Sequence, residues 1–181
     1  MRQHFETEQW LPFPIELVFA FFANPRNLPP LMPAWQRARI DEVTMVPPPV
    51  APEGLPVVRG IYAGNGTKLL ITARAAPGLA LRVPWLAQIE DFRWMQGFCD
   101  VQVNGPFGYW RHCHSVRAET RDGQSGSVVR DEVAYELPLP ALSWMGAPLG
   151  PVAMRAMFGY RQRRATELLP AFVAESKSLP Q

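Results

Sequence analysis

Apolar and polar residues alternate one by one over HFETEQWL, near the start of the chain, and the alternation stops at Pro12. That period predicts a strand with one buried face. PIELVFAFFANP is densely apolar, with Pro14 at its start, Glu16 in its first turn and Asn24-Pro25 at its end. These are helix start and stop signals. RNLPPLMP then reads as a turn or a broken second helix, and WQRARIDEVTMV alternates again as a strand. Residues 46–57, VPPPVAPEGLPV, form a long irregular connection, because proline neither continues a helix nor sits in a central strand. Such a loop is expected to be either a functional lid or a disordered segment. Five strand-length segments follow: GTKLLITARA, LRVPWLAQIEDFRW, GFCDVQV, YWRHCHSV and SVVRDEVAYEL. Turn signals such as PG, NGPFG and RDGQSG separate them. From 148 to 174 the period becomes helical, which predicts one long closing helix.

A strand, a helical segment, about six strands in sequence and a last long helix predict an α+β fold. Consecutive strands with short turns favour an antiparallel meander, and the closing helix must bury its apolar stripe on one sheet face. The 181 residues suit a single domain, 1–181, with no repeat or composition break. A net charge of +2 gives no electrostatic signature of a nucleic-acid binder. No apolar run approaches a membrane span, and MRQHFETEQW lacks the apolar stretch of a signal peptide. The expected location is the cytoplasm.

WLPFPIELVFAFFANPRNLPPLMPAW, GFCDVQVNGPFGYWRHCHSV, RDEVAYELP and, in the last helix, MFGYRQ carry a resemblance. Together with the element order they resemble the START-like, or SRPBCC, superfamily, in particular a bacterial polyketide cyclase/dehydrase-like, ligand-binding group. The resemblance covers nearly the whole chain. It implies a helix-grip fold, a curved antiparallel sheet wrapped around a long C-terminal helix, with an apolar cavity between them. It supplies no reaction, since the fold hosts carriers, sensors and enzymes alike.

Strand parity places Trp110, His112, His114 and Val116 on one face of YWRHCHSV, and Arg111 and Arg117 on the other. The arginines favour water, so the histidines are expected inside. A five-residue NGPFG loop sets Asp100 opposite His112, Gln102 opposite Trp110 and Phe98 opposite His114. On the far side, Thr120 facing Ser127 sets His112 opposite Tyr135 and Val116 opposite Asp131. The expected inward row is therefore Asp100, His112 and Tyr135, with Asp91 close by. Cys99 and Cys113 become cross-strand neighbours on the outer face, read as two reduced thiols in a cytosolic setting. On the closing helix, Met154, Met157, Phe158, Ala165, Leu168 and Phe172 share one side, with Arg161 in the middle. A charge aimed at a core needs a partner, so Arg161 is expected to pair with Asp91, Asp100 or Asp131.

Three chemistries fit these residues. Two histidines on one strand face could bind metal with Asp100 or His4, but a fourth ligand is not evident and the resemblance implies no metal or other cofactor. Asp100, His112 and Tyr135 as catalytic residues would suit acid–base work such as an aldol-type cyclisation or a dehydration. Binding without chemistry is the preferred reading. A small apolar or amphipathic, lipid- or polyketide-like ligand would lie against Phe98, Trp110, Met157 and Phe158. His114, Arg161 and Asp91, with the catalytic candidates, would orient its polar group. A protein partner is not identifiable.

Overall fold

The computed structural model describes residues 1–137 and 150–178. In chain order the elements are β1 (Gln3–Leu11), α1 (Ile15–Ala23), α2 (Leu28–Leu31), β2 (Arg39–Thr44), β3 (Lys68–Arg74), β4 (Arg82–Arg93), β5 (Gly97–Asn104), β6 (Tyr109–Arg121), β7 (Gln124–Glu136) and α3 (Gly150–Ser178). Single 3-10 turns precede α2 and β2. The seven strands make one curved antiparallel sheet in the order β1-β7-β6-β5-β4-β3-β2. The long helix grips its inner face, which is the α+β arrangement the element order predicts and the helix-grip fold the resemblance implies. The expected helix start at Pro148 lies outside the described residues.

Residues 46–57 have no helix or strand and are tied to the body near their start. The Thr67 hydroxyl accepts from the Val46 amide at 3.0 Å, and Trp94 Nε1 donates to the Pro49 carbonyl at 2.7 Å. Beyond the prolines, the chain brings Tyr62 and Ala63 into the core.

The β5–β6 register is as the NGPFG turn implies, with Asp100 opposite His112, Phe98 opposite His114 and Cys99 opposite Cys113. Gly97 lets these strands close up: a Cβ there would stand 2.0 Å from the His114 carbonyl oxygen. The β6–β7 register differs by two residues from expectation. Arg121 pairs with Gln124 across Asp122 and Gly123, both at positive φ (49° and 78°). Asp-Gly is the preferred pair for such a two-residue turn, which is tighter than the loop read from RDGQSG. Thr120 consequently faces Ser125, His112 faces Val133, Trp110 faces Tyr135 and His114 faces Asp131. A shift of two preserves the faces, so the inward side of β6 is unchanged.

A second departure lies in β4. Val83, Trp85, Ala87 and Ile89 point inward, and simple alternation would add Asp91. A bulge between Glu90 and Arg93, with Asp91 at φ 53°, resets the phase. Phe92 enters the core instead, and Asp91 turns outward to pair with Arg111.

The core divides into three clusters. One gathers α1 (Val18, Phe19, Phe21, Phe22) with Ala165, Leu169 and Val173 of α3. A second joins Trp110, Val133 and Tyr135 to Met154 and Phe158 of α3. The third sets Leu69, Ile71 and Ala87 against Leu28 and Met32. The helix stripe is thus rotated from the expected one: Leu169 and Val173 are buried, whereas Leu168 and Phe172 are only partly so. Polar contacts lock the helix on β1. Gln9 Nε2 donates to the Gln162 carbonyl at 2.8 Å, and Gln162 Nε2 donates to the Thr7 hydroxyl at 3.1 Å.

On the outer face Cys99 and Cys113 are joined in a disulfide, not left as two thiols. In a reducing compartment the same pair would persist as thiols. The bridge spans 14 residues, so its removal is expected to cost about 3 kcal/mol and to lower Tm by about 5–10 °C. Calorimetry with and without a phosphine reductant measures this, and a midpoint unmoved by full reduction contradicts it.

Candidate functional site

Alternation on β6 sends His112 and His114 inward, side by side, with ring centroids 4.0 Å apart. Their cross-strand neighbours supply two carboxylates, Asp100 from β5 and Asp131 from β7. Each imidazole therefore lies between two aspartates. Asp131 Oδ1 is 2.9 Å from His112 Nε2 in a hydrogen bond. The same oxygen is 2.7 Å from His114 Nδ1, off the line of a hydrogen bond. On the other side, Asp100 Oδ1 is 3.1 Å from His112 Nδ1 and 3.6 Å from His114 Nε2. Trp110 Nε1 donates to Asp100 Oδ2 at 3.0 Å and fixes that carboxylate.

The two aspartates are not equivalent. The Asp131 side chain is 5% exposed and Asp100 21%. Asp131 is the buried backing of the cluster, while Asp100 belongs to the cavity wall. Phenylalanines enclose the imidazoles: Phe98 is 4.8 Å from the His114 ring, and Phe158 is 5.1 Å from His112. Arg161 reaches in from α3, its Nη2 3.4 Å from His114 Nε2 and its guanidinium 5.4 Å from the Phe22 ring. It thus points inward as expected, but its contact is an imidazole rather than a carboxylate.

Burial by itself would raise both carboxyls. The two imidazoles outweigh it and hold Asp100 and Asp131 far below the usual carboxylate range. Burial likewise works against a charged His112, but Asp100 and then Asp131 outweigh it and raise its pKa above the ordinary value. With His112 protonated, two carboxylates meet one imidazolium and the Arg161 guanidinium, so the group is neutral. That balance is what makes buried charge tolerable.

Beside this cluster, between sheet and helices, lies a cavity of about 320 Å³. Its wall draws on all three core clusters, through Phe22 and Ile89, Trp110 and Phe158, and Leu69 and Ile71. Of the residues singled out from the sequence, Phe98, Asp100, Trp110, His112, His114, Met157, Phe158 and Arg161 line it. Two do not. The Tyr135 hydroxyl lies behind the wall and donates to Gln3 Oε1 at 2.7 Å, and Asp91 is on the outer face. Sequence reading did not place Asp131 against the histidines or bring Trp85 and Phe107 to the wall. The DG signal in RDGQSG could have found the first. Four buried polar atoms on cavity-lining residues have no hydrogen-bond partner among the described residues: Trp85 Nε1, Arg161 Nε, Gln36 Oε1 and His114 Nδ1.

Removing Asp131 leaves buried His112 Nε2 without its acceptor and takes away the carboxylate beside His114 Nδ1. Asp131→Ala is expected to cost about 3–5 kcal/mol in urea unfolding. The pH dependence follows from the signs. The carboxylates, with depressed pKa values, contribute stability above their unfolded value near 3.8 and lose it only on strong acidification. The raised His112 contributes fully below its ordinary value of 6.5, and that part is lost as pH rises through its folded value. The stability difference between wild type and His112→Gln should therefore be largest below about pH 6.5 and shrink above it. A difference that grows with pH contradicts this assignment.

Neither a protein-family model nor a curated protein matches the sequence. Solved structures do match in fold. TTHA0849 from Thermus thermophilus is 18% identical, with a TM-score of 0.60 over 93% of this chain and 98% of that one. A norcoclaurine synthase point mutant from Thalictrum flavum, in complex with a transition-state analogue, is 15% identical, with a TM-score of 0.57 over 98% of each chain. The same plant's norcoclaurine synthase in complex with dopamine and hydroxybenzaldehyde is 16% identical, with a TM-score of 0.53 over 92% and 88%. Among the described residues no helix is long and apolar enough to cross a membrane. Shared topology over nearly the full length, at low identity, shows a START-like, SRPBCC-type helix-grip fold.

Proposed function

We propose that the protein binds a small, largely apolar ligand carrying one polar or anionic group, held between the sheet and α3. The observation that carries this reading is the combination of an apolar cavity of about 320 Å³ with a polar end built from Asp100, His112, His114 and Arg161. Its volume falls at the small end of the range for ligand pockets. Leu28, Met32, Leu69, Ile71, Phe107 and Trp110 offer aliphatic, thioether and aromatic contacts to a hydrophobic body. The unpartnered N–H groups of Trp85 and Arg161 offer donors to its polar group, and burying them without one costs free energy. Norcoclaurine synthase, with its bound dopamine and hydroxybenzaldehyde, gives a precedent of the same fold for small aromatic ligands.

A second reading rests on the His112–Asp131 hydrogen bond. A buried carboxylate that orients an imidazole is the arrangement of a general base, and His112 lines the cavity. In a cyclase- or dehydratase-like reaction Asp131, rather than Tyr135, would support that base, with Asp100 across the site.

Two measurements bear on these readings. Titration with 1-anilinonaphthalene-8-sulfonate, followed by its own emission and by quenching of tryptophan fluorescence, to which cavity-lining Trp85 and Trp110 contribute, should give one site per chain. Arg161→Ala should weaken it about tenfold, equivalent to about 1.4 kcal/mol. Unsaturable binding, or an affinity indifferent to Arg161, sinks the binding proposal. Native mass spectrometry and extraction of co-purified molecules then separate carrier from enzyme. A carrier releases the same compound from wild type and His112→Ala, whereas an enzyme accumulates unreacted substrate only in the variant.

A further inference from the structure

The cross-strand geometry brings together three lone-pair atoms, and we infer that Asp100, His112 and His114 form a binding site for a divalent transition-metal ion. The converging atoms are Asp100 Oδ1, His112 Nδ1 and His114 Nε2. From the carboxylate oxygen the two nitrogens are 3.1 and 3.6 Å away. Donors bonded tetrahedrally to zinc at about 2.0–2.1 Å stand about 3.4 Å from one another, so these separations bracket the required value. One donor atom from each of the three residues lies within 4.8 Å of the others.

The decisive feature is behind the ligands. Histidines that bind metals hold their second nitrogen against a carboxylate or carbonyl, which sets the tautomer and aims the lone pair. Here the second nitrogens, His112 Nε2 and His114 Nδ1, both face Asp131 Oδ1, at 2.9 and 2.7 Å. The hydrogen bond at His112 Nε2 sets that ring's lone pair, on Nδ1, toward Asp100; His114 Nδ1 lies close to the same oxygen but off the line of a hydrogen bond, with its Nε2 on the Asp100 side. Three acceptors facing one another repel unless a cation stands between them. In the metal-free molecule the Arg161 guanidinium, 3.4 Å from His114 Nε2, is the cation beside them. A metal ion meets that need with three direct bonds and frees Arg161 toward the cavity.

Two imidazoles and a carboxylate suit zinc, iron(II), cobalt or nickel rather than calcium or magnesium. Asp100, His112 and His114 all line the cavity, whereas Asp131 does not, so the remaining coordination positions open onto the ligand space. The dication and the two aspartates cancel in charge, and the freed Arg161 leaves a net +1. The end of the cavity then favours an anionic oxygen donor. The site stands on these four side chains alone and does not depend on which organic ligand the cavity takes.

The test uses tag-free full-length protein treated with EDTA, then titrated with Co²⁺ by visible absorbance and with Zn²⁺ by calorimetry. One Co²⁺ per chain, with the intense bands of low coordination number displaced by one Zn²⁺, is expected. His112→Ala and His114→Ala should each weaken Zn²⁺ about a hundredfold or more, and Asp131→Asn about tenfold to a hundredfold. His4, the only other histidine, lies against a separate surface groove, and His4→Ala should leave the affinity unchanged. Circular dichroism checks each fold, and the near-isosteric Asp100→Asn carries the same test should an alanine variant unfold. Folded wild type that binds neither ion overturns the proposal. So does Zn²⁺ affinity that survives His114→Ala or falls with His4→Ala.

Discussion

A single carboxylate oxygen, Asp131 Oδ1, stands within 3 Å of two imidazole nitrogens in a pocket walled by phenylalanine. Such a concentration of polarity inside a core is costly, and the surrounding fold is arranged to make it tolerable. The Asp-Gly turn sets β7 so that Asp131 falls opposite His114. Gly97 admits β5 close enough for Asp100 to reach both rings from the other side. The long helix delivers a cation, Arg161, that completes the charge balance. His112 pairs with both aspartates and Trp110 with Asp100, and such pairing is the condition for keeping charge inside a core.

The cavity follows from the same arrangement. Three apolar clusters meet around it, and the polar wall of β5 and β6 closes one end. The result is a chamber with a chemical direction, aromatic and aliphatic along most of its wall and charged at one end. A ligand with an apolar body and a polar head matches that asymmetry. So does a metal ion seated at the charged end with open positions toward the body.

Much of this was legible along the chain. The alternation of HFETEQWL, the prolines framing α1, the strand run and the helical period of the last segment all follow from local physics, and the structure has them in that order. Parity, with the arginines of the opposite face favouring water, put the histidines inside, and the NGPFG turn set Asp100 against His112 and Phe98 against His114. What escaped was non-local or hidden in one residue. The tight turn at Asp122-Gly123 moved Asp131 to His114 and Tyr135 away from His112. The bulge at Asp91 reversed a face that simple alternation had assigned. Arg161 had a cavity-facing imidazole as its neighbour, which no helical wheel could name. The cysteine pairing was placed correctly in space, but its oxidation state is a matter of redox compartment rather than register.

The central claim is that Asp131 holds His112 by Nε2 and stands beside His114 Nδ1, so that the opposite nitrogens face Asp100 and the cavity. Long-range ¹H–¹⁵N correlation spectroscopy of the imidazole nitrogens in EDTA-treated protein tests it most directly, with His4→Ala simplifying the spectrum. The account requires a proton on His112 Nε2 and on His114 Nδ1 in wild type, and a change at both nitrogens in Asp131→Asn. A proton on His114 Nε2, the nitrogen that meets Arg161, would contradict it.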